Sequence, residues 1–117
     1  MNIMRMLPFL DDESKQELVN SIIHHEIDVK GINIISILPF LEDEEVEKLI
    51  LFVLDEKIPI NIMAMLPFAS DETLDKLVEK IELDEVEGIS IEAIAPFLDD
   101  DQIRILFKRE FEKMKRK

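Results

Sequence analysis

Apolar and polar positions along the chain recur with a period of about 29 residues, marked each time by a Pro-Phe pair. Pro8-Phe9, Pro39-Phe40, Pro67-Phe68 and Pro96-Phe97 follow one another at spacings of 31, 28 and 29 residues. Six residues before each proline stands a helix-capping type: Asn2, Asn33, Asn61 and Ser90. Met1, Ile32, Ile60 and Ile89 precede these caps, and Met6, Ile37, Met65 and Ile94 stand two before the proline. That spacing is the N′ and N4 pair of a hydrophobic staple. Gly31, Pro59 and Gly88 lie one step further back and break whatever precedes. Each repeat is therefore expected to open with a short helix. Proline at its sixth position predicts a kink or a tight last turn, with the following Phe and Leu or Ala carried into the core.

Four residues after each proline is an aspartate, Asp12, Asp43, Asp71 and Asp100, usually with a neighbouring acid. Carboxylates there suit a helix start, where they accept orphan N–H bonds and meet the positive end of the dipole. Apolar residues follow at seven, ten, eleven and fourteen after the proline: Val46, Leu49, Ile50 and Val53 in the second repeat, Leu74, Leu77, Val78 and Ile81 in the third. This is the stripe of an amphipathic helix with one buried face. Short helices are predicted near 2–10, 33–41, 61–69 and 90–98, and long ones near 12–26, 43–56, 71–83 and 100–115. The β-branched runs Ile32–Ile37 and Ile58–Ile62 also fit a strand, which would give a strand-plus-helix horseshoe of the leucine-rich type. No L-x-x-L-x-L-x-x-N pattern is present, and Glu92-Ala93-Ile94-Ala95 favours helix. The expected fold is all-α: a short solenoid of four helix-turn-helix repeats, about eight helices, in a right-handed stack. The 117 residues are read as a single domain of repeats 1–30, 31–58, 59–87 and 88–117.

The pattern resembles tandem helix-pair repeats of the HEAT and tetratricopeptide kind in general design. It is more closely similar to a short [LA]-P-F-[LA]-x-D repeat of uncharacterised bacterial proteins. The resemblance covers nearly the whole chain and implies no active-site residues. The Trp and Tyr of the tetratricopeptide signature are absent.

Composition changes this picture little. With 47% apolar and 35% charged residues the chain has the balance of a globular protein. No apolar run approaches the ~20 residues of a membrane helix. Met1–Arg5 lacks the pattern of a secretory signal, so a cytoplasmic location is expected. Charge is more informative. The net −13 is uneven: six basic residues at 108–117 against Glu110 and Glu112 leave +4 there and −17 on the other 107. Such a body repels nucleic acid and anionic membranes. The basic end complements the dipole of a last helix.

Candidate chemistry is sparse. With no cysteine there is neither disulfide nor thiolate. His24 and His25 are adjacent, so on a helix they point about 100° apart and chelate one ion poorly. The acidic groups lack the alternating ligands and glycine of a calcium loop, and four equivalent copies at helix starts read as caps. No catalytic, cofactor or metal residues are expected, and no enzyme. In the second repeat, however, Leu51 and Phe52 are apolar where the other repeats have Asn20-Ser21, Glu79-Lys80 and Lys108-Arg109, which read as solvent-facing. These two are candidate interface residues; the other explanation is that neighbouring segments cover them. Glu92 and Ala95 make the fourth repeat a more polar end, while Met1, Ile3, Met4 and Met6 leave the first repeat's open end apolar. The expected role is a non-catalytic interaction module that binds a protein or peptide through helix faces, including a second copy. A carrier of a small molecule or lipid chain is the alternative, and an acidic decoy for a nucleic-acid-binding surface is a third.

Overall fold

A computed structural model describes residues 3–28 and 32–115. The Asn2 cap, the Met1 staple and the Gly31 break lie outside the described residues. Everything regular in the described residues is helical, and no strand forms. The short elements are α1 (Ile3–Met6), α3 (Ile34–Ile37) and α6 (Ile91–Ile94); the long ones are α2 (Asp12–Ile23), α4 (Asp43–Asp55), α5 (Asp71–Glu82) and α7 (Asp100–Lys115). The strand reading of the β-branched runs is thereby overturned: Ile34–Ile37 is a helical turn capped by Asn33. The chain divides into two compact units, Met1–Phe68 and Ala69–Lys117, and the division falls inside the third repeat. In the first unit α2 packs on α4, and in the second α5 packs on α7.

Local chemistry repeats faithfully. The Asn33 Oδ1 accepts from the Ser36 amide at 3.2 Å, the Asn61 Oδ1 from Met63 at 3.0 Å and the Ser90 Oγ from Ala93 at 3.3 Å. At each proline the missing N–H tightens the chain into a 3₁₀ turn: Leu7–Phe9, Leu38–Phe40, Leu66–Phe68 and Ala95–Phe97. In the third repeat the preceding element is itself 3₁₀, Ile62–Ala64.

This turn corrects the placement of the phenylalanines. Three residues per turn set their side chains about 120° apart, so only one of Leu, Pro and Phe can face inward. The residue before proline takes that place: Leu7, Leu38 and Leu66 are at most 2% exposed, whereas Phe9 is 80% exposed and Phe40 38%, with Phe68 and Phe97 half-buried. All four prolines are exposed. Ile37, Met65 and Ile94, two before proline, complete the buried pair.

The long helices begin at the repeated aspartates, as predicted, but their caps lie one residue earlier. Asp12, Asp43, Asp71 and Asp100 are the first helical residues, exposed and near the positive helix end; the caps are Asp11, Glu42, Ser70 and Asp99. The Asp11 carboxylate accepts from Ser14 N–H at 2.8 Å, and hydrogen bonding from Ser14 holds its pKa below the ordinary value. Each cap pairs with the residue three further on, and at α4 and α7 the pairing is a reciprocal capping box, with the Glu42 and Asp99 N–H groups donating to the Glu45 and Gln102 side chains. The three buried polar or charged residues among those described, Glu45, Thr73 and Gln102, all occupy this third position.

The helix ends share a device as well. His25, Lys57 and Asp84 adopt left-handed φ of 60°, 53° and 56°. The next amides, of Glu26, Ile58 and Glu85, bond back to the carbonyls of Ser21, Val53 and Lys80 at 2.8–3.0 Å. These are Schellman closures without glycine, and they end the helices ahead of Pro59 and Gly88. Lys57 is exposed, so Lys57→Gly should stabilise the protein by about 1 kcal/mol through relief of the left-handed backbone. Urea denaturation checks this: the midpoint rises with an unchanged slope.

Candidate interaction surface

Position thirteen after the proline decides how Phe52 is to be understood. Ser21, Lys80 and Arg109 at this position are all partly buried, so the helix turns it inward in every repeat. Arg109, with only 15% of its side chain exposed, pairs with Asp84 and with Glu110, the latter at 2.8 Å. In the second repeat an aromatic fills the same place: Phe52 is 4% exposed and lies under the His25 ring at 5.6 Å. The His25 Nε2 is in turn 2.8 Å from a Glu56 carboxylate oxygen. Phe52 therefore belongs to the interior of its unit, and Leu51 beside it is half-buried.

A run of uncovered apolar residues lies on α7. Ile103 and Phe107 stand seven and eleven after their proline, where Val46, Ile50, Leu74 and Val78 are at most 4% exposed. On α7 the same positions are 39% and 61% exposed, and Phe111 and Met114 continue the line at 42% and 70%. Residues 103, 107, 111 and 114 share one helix face. The Phe107 and Phe111 rings stack at 5.5 Å with 13° between planes, and Lys115 Nζ sits 4.7 Å over Phe111. An adjoining flank holds the helix down: Leu106 is 1% exposed and Gln102 2%. Glu92 is exposed as expected of an end repeat, yet the long helix of that repeat carries the uncovered stripe.

Gln102 anchors α7 with every polar atom. Its Oε1 accepts from Asp99 N–H at 2.9 Å, while its Nε2 donates to Asp75 Oδ1 at 2.7 Å and to the Asp71 carbonyl at 3.4 Å. An amide nitrogen can only donate and a carboxylate only accept, so the side chain is fixed in one orientation.

Elsewhere, a groove of about 330 Å³ is lined by Ile32, Asn33, Ile34, Ile35, Ile58, Pro59 and Ile60. Among the described residues no group of three or more His, Asp or Glu is arranged to hold a metal ion, and no helix is long and apolar enough to cross a membrane. His24 is the C-cap that follows α2 and His25 the residue after it, with left-handed backbone at His25. Pro8, Pro39, Pro67 and Pro96 with their phenylalanines shape turns and gather no chemistry. No protein-family description, curated protein or solved structure matches the chain.

Proposed function

We propose that the protein is a non-catalytic interaction module of the cytoplasm, a short helical-repeat scaffold that binds a protein through a helix face. The observation that carries this reading is the α7 stripe of Ile103, Phe107, Phe111 and Met114, whose first two members are uncovered at positions that are buried in the second and third repeats. Exposed apolar faces of this kind mark contact surfaces, and aromatic residues dominate such contacts. The acidic body, −13 overall, opposes nucleic acid as the partner.

A photo-crosslinking residue at position 107 tests the proposal in cells. Discrete protein adducts are expected there and not at Glu79, an exposed position on α5; no adduct at 107 overturns the reading. The aliphatic groove at Ile34 and Ile60 favours a second reading, carriage of a short apolar chain. Native mass spectrometry of the same preparation separates the two, since a carrier retains a small-molecule mass and an interaction module travels bare.

A further inference from the structure

On the reading that α7 is a contact surface, we infer that its occupant is the α7 helix of a second copy, lying antiparallel. The stripe runs the length of a 16-residue helix, and its ends carry opposite charge: Asp99, Asp100 and Asp101 at the start, Lys113 and Lys115 in the last turn. Asp101, Arg104, Lys108, Glu112 and Lys115 all fall on one flank of the stripe at about 100° per residue. Within one chain they already form two exposed pairs, Arg104–Asp101 at 3.3 Å and Lys115–Glu112 at 3.7 Å. Turning a second helix end for end sets Asp101 against Lys115 and Arg104 against Glu112 in one common register. A parallel pair would set Lys113 and Lys115 against themselves. The two-fold arrangement also closes on itself, as homodimers do. One like-charge contact remains: Lys108 meets Lys108 at the axis.

Area sets the strength. At roughly 200 Å² for a fully exposed side chain of this size, the four stripe residues offer roughly 400 Å² per copy. Two such faces fall below the standard interface of about 1,600 Å², which points to micromolar dissociation and a monomer at high dilution. The net charge of −13 opposes an anionic membrane and also weakens pairing with a second copy, in keeping with micromolar dissociation.

Sedimentation equilibrium of the pure protein tests this. A monomer–dimer equilibrium in the micromolar range is expected, and Phe107→Glu with Phe111→Glu should weaken it at least a hundredfold with unchanged helicity. Met114→Glu, at the exposed end of the stripe, gives the same direction should the double variant misfold. The chain has no cysteine of its own, so single cysteines report the register. Arg104→Cys mixed with Glu112→Cys should form a disulfide-linked dimer, and Arg104→Cys alone should not. Dimers of Arg104→Cys alone, open-ended oligomers, or a monomer at hundreds of micromolar overturn the inference. In the last case, adducts at position 107 to other proteins would leave the interaction-module reading standing.

Discussion

Replacing Gln102 with glutamate should cost about 3 kcal/mol at neutral pH, among the largest single losses this protein can suffer outside its apolar core. The amide nitrogen that donates to Asp75 at 2.7 Å becomes an oxygen, and two carboxylates face each other at a site where residue 102 is 2% exposed. Like charges at that distance push one carboxyl pKa upward in the folded state. A group with a raised folded pKa gives full stability below its unfolded value, about 4.3 for glutamate, and loses it as pH rises toward the folded value. The deficit relative to the wild type should therefore shrink between pH 7 and pH 4, because the protonated carboxyl of the variant regains a donor for Asp75. Gln102→Leu is the contrast. It removes the donor to Asp75 and the acceptor of the Asp99 N–H without adding charge, so a loss of about 2 kcal/mol should persist across the same pH range. Urea titrations at the two pH values separate these outcomes. A deficit for the glutamate variant that stays flat with pH would place residue 102 away from the Asp75 carboxylate.

The second large effect concerns the Pro-Phe signature. Leu38→Ala should cost about 3 kcal/mol, a substantial share of the roughly 5–15 kcal/mol that holds a typical domain together. Phe9→Ala should cost less than about 0.5 kcal/mol, since an exposed side chain away from special features contributes little. The difference runs against hydrophobicity, because phenylalanine is the larger apolar residue. It follows from the 3₁₀ turn, which leaves Leu38 1% exposed and Phe9 80% exposed.

Which parts of this were legible from the residues alone has a physical pattern. The helix pairs were, because a 3.6-residue period survives any detail of packing: the predicted long helices at 43–56 and 71–83 end within a residue of Asp55 and Glu82. The cap register was not. Asp11-Asp12 and Asp99-Asp100 offer two acids side by side, and only the partner three residues on shows which one caps. That partner is Ser14, Glu45, Thr73 or Gln102, a polar residue six after each proline and just ahead of the apolar stripe. The inter-helix partner of Gln102 has a trace as well. Asp75 and Gln102 correspond by position to Gln16 and Glu45, the same two chemical types exchanged. Helix ends at His25, Lys57 and Asp84 gave no signal, since left-handed closure without glycine has no compositional mark. Phe52 and the α7 stripe fail for a shared reason. A pattern says which side of a helix is apolar, but burial depends on what packs there. Position thirteen is turned inward in every repeat, so Phe52 is covered; Ile103 and Phe107 sit at positions buried elsewhere, so the stripe looked like core.

Burial of the leucine before proline in each of the first three repeats is the central claim, and a denaturation series across them measures it directly. Leu7→Ala, Leu38→Ala and Leu66→Ala should each lose about 3 kcal/mol, while alanine at Phe9 and Phe40 costs far less. Losses concentrated at the phenylalanines, or a leucine that matters in one repeat and not in the others, would contradict it.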